Sequence, residues 1–164
     1  YTRSVVGSVD VYKRQYQMCI SDIDGKNEQI LFTSAAPIMS PDWSPDRKKI
    51  AYVSFENGLA EIFIQDLASG ERESIQALGM TNSAPVWSPD GKSLALVVSF
   101  SGNPDIFSYS INNKRLVRLT NHYGIDTEPS WSPDSKKIIF TSDRSGSPQL
   151  YEICLLYTSD AADD

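Results

Sequence analysis

The four residues WSPD occur at 43–46, at 87–90 and at 131–134, so Trp43, Trp87 and Trp131 stand 44 residues apart each time. A fixed interval of this length is the mark of a repeat architecture, in which each unit buries its apolar face only against its neighbours. The register reaches well beyond the motif. Pro41, Pro85 and Pro129 precede each tryptophan by two residues, Ile50, Leu94 and Ile138 follow it by seven, and Phe63, Phe107 and Tyr151 by twenty. It also runs backwards, because Ile20 and Asp22 match Ile64 and Asp66, while Leu31, Ile75 and Leu119 form a further set. The chain therefore holds the tail of one repeat, two whole repeats and most of a fourth.

Within a repeat the pattern is strand and turn. Ser-Pro-Asp-Gly at 88–91 reads as a turn, with proline where its fixed φ helps most. "KSLALVV", "DIFSYSI" and "RLVRLT" follow, separated by a Ser/Gly/Asn/Pro turn at 101–104 and an Asn-Asn turn. With the segment that leads into the tryptophan, that makes four short strands per unit. The runs "IAYV", "LALVV" and "IIF" do not alternate cleanly, which predicts sheets buried on both faces. Four-stranded antiparallel sheets stacked at this period describe an all-β fold, a β-propeller. On this reading WSPD is scaffold: the tryptophan fills the gap between blades, and Ser-Pro-Asp turns the chain from the innermost strand into the next.

Propellers have about 4–8 blades, and the ends explain why this chain has only about three blades' worth of sequence. Residues 154–164, "CLLYTSDAADD", can be encoded by DNA whose reverse complement reads "VVGSV" at 5–9 and, after a one-base slip, "DVYKRQ" at 10–15. That element resembles the transposase end used as an adapter in short-read library construction. Residues 1–15 and 154–164 are accordingly expected to be non-native, leaving a partial propeller at 16–153.

The net charge of −6 argues against binding of nucleic acid or anionic membranes, which need clustered Lys and Arg. No run of 18 apolar residues is present, so no membrane-spanning segment is expected. Cys19 and Cys154 suggest neither a disulfide framework nor a metal site. His122 is the only histidine, so no Ser-His-Asp triad and no histidine-based metal cluster can be assembled, and it reads as a solvated loop residue. "GKS" at 91–93 lacks the first glycine of a phosphate loop, and "DIDG" at 22–25 places its glycine two positions too early for an EF-hand; both read as hairpin turns. No catalytic, cofactor-binding or metal-binding residue is expected, and the chain reads as non-enzymatic.

The segments before each tryptophan differ. "PIMSPDW" (37–43), "MTNSAPVW" (80–87) and "YGIDTEPSW" (123–131) vary in chemistry while the turns do not. Met39, Ser83 and Thr127 occupy equivalent positions, as do Ser40, Ala84 and Glu128. They read as simple linkers or, because loops on a rigid scaffold carry binding function, as one partner-facing rim at the channel mouth.

The stretches "IMSPDWSPDRKKIAYVSFENG", "SAPVWSPDGKSLAL" and "DTEPSWSPDSKKIIFTSDRSGSPQLYEI" resemble the TolB family, periplasmic components of the Tol-Pal system of Gram-negative bacteria. The likeness covers 16–153; the specific parts are "MSPDWSPD", "AYVSFENG", "TEPSW" and "FTSDRSGSPQLY". It implies an α/β domain followed by a six-bladed propeller, export to the periplasm and no catalysis. It also implies that the propeller binds the lipoprotein Pal at its channel mouth, that an N-terminal segment contacts TolA, and that some members serve as colicin receptors. Carried over, the Pal contact falls on Met39, Ser40, Ala84, Thr127 and Glu128. Glu128 would accept hydrogen bonds from the partner or pair with a basic group of it, Met39 and Ala84 would give apolar contact, and Thr127 a hydroxyl. Thr81 stands where the family often has a histidine, so no histidine contact is carried over. The rival expectations are the propeller lid of a prolyl-oligopeptidase-type serine hydrolase and a cytoplasmic scaffold propeller.

Overall fold

The computed structural model describes residues 3–10, 15–75, 81–100 and 102–155. Met80 and most of the acidic tail therefore lie outside the described residues. Fourteen strands among them form four antiparallel sheets. The first joins β1 (Arg3–Asp10), β2 (Gln15–Asp22) and β3 (Gln29–Ser34), and the second β4 (Ile38–Trp43), β5 (Lys49–Ser54), β6 (Glu61–Asp66) and β7 (Arg72–Ile75). The third joins β8 (Thr81–Trp87), β9 (Ser93–Phe100), β10 (Asn103–Ser110) and β11 (Leu116–Arg118), and the fourth β12 (Asp126–Trp131), β13 (Lys137–Ser142) and β14 (Gln149–Cys154). The second and third sheets run in chain order from inner to outer strand, while by the 44-residue register the first begins at the second strand of a blade and the fourth ends at the third. The inner strands are neighbours, with β4 against β8 and β8 against β12. No helix of the described residues is long and apolar enough to cross a membrane.

The second strand of each blade shows why clean polar alternation is missing. In β5, Ile50 and Tyr52 pack toward the first sheet, whereas Ala51 and Val53 pack toward the third. In β9, Leu94, Leu96 and Val98 face the second sheet, and Ala95 and Val97 the fourth. Both faces of a middle blade are therefore core, as the apolar runs predict. In β13 Ile138 and Phe140 are buried against the third sheet, but Ile139 is 42% and Leu150 of β14 76% exposed.

Serine and aspartate of WSPD close each inner turn identically. The hydroxyls of Ser44, Ser88 and Ser132 donate to Asp46, Asp90 and Asp134 at 2.7, 2.6 and 2.6 Å. The same hydroxyls accept the backbone N–H groups of Lys49, Ser93 and Lys137 at 2.8, 3.0 and 2.9 Å. The fifth residue of the turn takes a left-handed backbone whether it is Arg47 (φ 60°), Gly91 (φ 70°) or Ser135 (φ 59°). Trp87 is 6% exposed between the second and third sheets, and Trp131 packs into the core between the third and fourth. Trp87 and Trp131 do fill the gap between blades.

Two features concern the ends. Equivalent hairpins pair Ser54 with Glu61 and Val98 with Asp105, which by the 44-residue period predicts Asp10 opposite Gln17. Asp10 instead pairs with Gln15, a slip of two residues. At the other end the repeat continues through Leu155, whose N–H donates to the Lys136 carbonyl at 2.8 Å as those of Leu67 and Ile111 do to Lys48 and Lys92.

Candidate functional site

The three inner strands break their pairing at the same place. Met39 pairs with Val53 and Asp42 with Ala51; Ser83 pairs with Val97 and Val86 with Ala95; Thr127 pairs with Thr141 and Ser130 with Ile139. Two residues, Ser40-Pro41, Ala84-Pro85 or Glu128-Pro129, therefore stand against one on the partner strand, which is a β-bulge. The sequence dictates the break, because proline has no N–H for a ladder. The first bulge residue is left-handed every time: Ser40 at φ 51°, Ala84 at 49° and Glu128 at 54°. None is glycine, so each carries strain of about 1 kcal/mol or more.

All five residues singled out in the sequence, Met39, Ser40, Ala84, Thr127 and Glu128, thus lie on or beside these bulges, at the same end of three adjacent strands. Met39 is 46% exposed; Ser40 and Glu128 are exposed, and Thr127 and Ala84 half-buried. Ala84 also packs against the core between the third and fourth sheets. Glu128 Oε2 accepts the Thr141 hydroxyl at 3.1 Å. Leu59, Tyr123 and Ile125 expose further apolar surface at this end. Among the described residues no group of three His, Cys, Asp or Glu is placed to hold a metal ion.

Polar groups that sequence reasoning missed hold the rim from beneath. Asp126, fully buried, receives the Arg144 guanidinium at 3.0 and 2.8 Å, and that guanidinium lies 4.6 Å from the centre of the Tyr151 ring. Asn82, at the equivalent position one blade earlier, donates to the Ala60 carbonyl at 3.0 Å and so ties one blade's hairpin to the next blade's inner strand. Asp42 Oδ2 accepts the Trp87 backbone N–H at 2.6 Å, and Trp131 Nε1 donates to the Val86 carbonyl at 3.0 Å. Burial pushes the Asp42 carboxyl above its ordinary range, against the opposing pull of the Trp87 and Trp43 N–H groups. The only sequence signal for this layer is that Asn82 and Asp126 place polar residues where the second blade has Ile38.

The arrangement offers a repeated scaffold with a strained, chemically varied rim. Residues 4–160 match the family described as PD40, the TolB beta propeller domain. The chain belongs to the TolB beta propeller family. The Tol-Pal system protein TolB of Xylella fastidiosa (strain M12) is 52% identical over 70 residues, 43% of this chain and 16% of the relative. The crystal structure of TolB from Acinetobacter baumannii superposes with a TM-score of 0.85 at 43% identity, covering 96% of this chain and 40% of that one. The chain thus spans less than half the length of these TolB proteins. A puromycin hydrolase superposes with a TM-score of 0.70 at 12% identity, covering 93% of this chain and 25% of the other, a likeness of fold alone.

Proposed function

We propose that this TolB propeller segment is the partner-binding part of a non-enzymatic periplasmic adaptor of the Tol-Pal system. Its rim, built from Met39, Ser40, Ala84, Thr127 and Glu128, binds the lipoprotein Pal and so supports outer-membrane integrity and cell division. One observation carries the reading: three identical left-handed bulges display three different surfaces at one end of an otherwise invariant scaffold. Rigid display of varied groups suits recognition, because it lowers the ordering cost of binding. By the same resemblance, TolA is met through a region outside this chain, and colicins use the protein in some bacteria.

The experiment is calorimetric titration of Pal onto the full-length parent protein carrying Glu128→Lys. Binding weakens at least tenfold, about 1.4 kcal/mol; an unchanged Kd removes Glu128 from the site. The parent locus tests the rest. A signal peptide and α/β domain upstream, with more blades downstream, support the reading. A nucleophile-elbow domain downstream transfers the rim to the gating of a serine hydrolase. The same sequencing decides whether 1–15 and 154–164 are adapter-derived, a proposal that the two-residue slip of β1 supports at the N-terminal end.

A further inference from the structure

Thr127 pairs with Thr141, Met39 with Val53 and Ser83 with Val97. These three cross-strand partners are one repeat position, and Val53 and Val97 are buried there, 1% and 4% exposed, against the following sheet. Threonine is valine with one methyl replaced by a hydroxyl, so it fills the same volume while adding one donor. That donor is used: Thr141 Oγ1 donates to Glu128 Oε2 at 3.1 Å. Among the three bulges only Glu128 carries a carboxylate, since Ser40 and Ala84 hold the other two places. The acid among the three bulge positions and the hydroxyl among their three cross-strand partners belong to the same blade.

We infer that Thr141 is a positioning residue that aims the Glu128 carboxylate at a cationic group of the partner. The left-handed backbone of Glu128 fixes the base of its side chain, and the Thr141 hydroxyl holds one carboxylate oxygen. The other oxygen stays available. Glu128 is exposed and forms no ion pair with a basic side chain among the described residues, although Lys137 and Arg144 of the same sheet are both paired, with Glu152 and Asp126. An exposed acid held still without an internal cation suits a lysine or arginine arriving from outside, because the side-chain entropy of binding is already lost. The inference rests on the rim reading above and adds to it the residue that orients the acid and the charge of the group that meets it.

The test is a double-mutant cycle on Pal binding to the full-length parent protein, read by calorimetry. Thr141→Val, which restores the residue of the two preceding blades, weakens binding about fivefold, the worth of one hydrogen bond. Thr141→Ser retains wild-type affinity. With Glu128→Gln already present, adding Thr141→Val changes Kd by less than about twofold, because the positioned charge is gone. Thermal melts of Thr141→Val are no lower than wild type. Equal weakening by Thr141→Val in both backgrounds overturns the inference and leaves a packing role only. An unchanged Kd for Thr141→Val, with binding weakened by Glu128→Gln, also overturns it while sparing the rim. If Glu128→Gln itself has no effect, the inference falls and Glu128 leaves the site, with the rest of the rim still to be judged by its own variants.

Discussion

Asp42 accepts the backbone N–H of Trp87 at 2.6 Å, across 45 residues and from one blade to the next. Val86 and Trp131 repeat the one-blade-plus-one spacing through a different pair of atoms, carbonyl and indole N–H. Asp90 and Ser135 make a third such link, backbone N–H to hydroxyl at 3.1 Å. The first two links join adjacent inner strands at matching heights and the third joins the turns that follow them, so the bulges are held in a common frame.

Removing the Asp42 acceptor tests that stitch. Asp42→Ala leaves the Trp87 N–H without its partner and costs about 1–3 kcal/mol by urea unfolding. Asp42→Asn keeps an acceptor of the same shape, so at neutral pH it costs less than half as much.

The pH dependence of the same residue has a defined sign. Burial raises the folded pKa of Asp42, so the folded state holds its proton more tightly than the unfolded chain does. Its contribution is fully present below the ordinary value of 3.8 and is lost as pH rises through the folded value. Asp46 and Asp134 act oppositely, because the hydroxyls of Ser44 and Ser132 hold their pKa values down. Their stabilisation is present above 3.8 and is lost as pH falls through their folded values. Wild type therefore gains stability over Asp42→Asn as pH falls toward 3.8, so the gap between their unfolding curves widens, whereas Ser44→Ala and Ser132→Ala lose most of their deficit below it.

Blade architecture was readable because the turn residues state their roles: Ser, Pro and Asp at fixed offsets leave few alternatives to the turn that Ser44, Ser88 and Ser132 close. The position of the rim was readable for the same reason, through Pro41, Pro85 and Pro129. Its conformation was not. Left-handed φ is signalled by glycine or asparagine, and Ser40, Ala84 and Glu128 are neither. The ion pair beneath Thr127 was hidden by distance, since Asp126 and Arg144 lie 18 residues apart and the preceding blade has Asn82 and Phe100 in their places. A pairing made once leaves no periodic trace.

That pair carries a prediction. Arg144→Met leaves the fully buried Asp126 carboxylate without its cation and costs about 3–5 kcal/mol, read as a loss in the urea midpoint. Combining it with Asp126→Ile, which installs the residue that the second blade carries as Ile38, removes both charges and restores most of the stability. A double variant as unstable as the single one means that the pair does more than neutralise its own burial.

Two glycines separate backbone strain from lack of space. Gly91 has φ +70°, and a Cβ there would meet Pro45 Cδ only at 3.8 Å, an ordinary contact. Gly91→Ala therefore costs the left-handed penalty alone, about 1 kcal/mol, and Arg47 and Ser135 show that the turn tolerates a side chain there. Gly124 does not have a left-handed φ, but a Cβ would stand 2.9 Å from both N and Cα of Arg144. Gly124→Ala must displace the backbone of the very residue whose guanidinium holds Asp126, so it costs at least twice as much as Gly91→Ala in thermal or urea unfolding. The order of the two variants decides the matter. If Gly91→Ala proves the worse, the approach of the 122–125 segment to Arg144 is loose, and the ion pair beneath the rim does not depend on it.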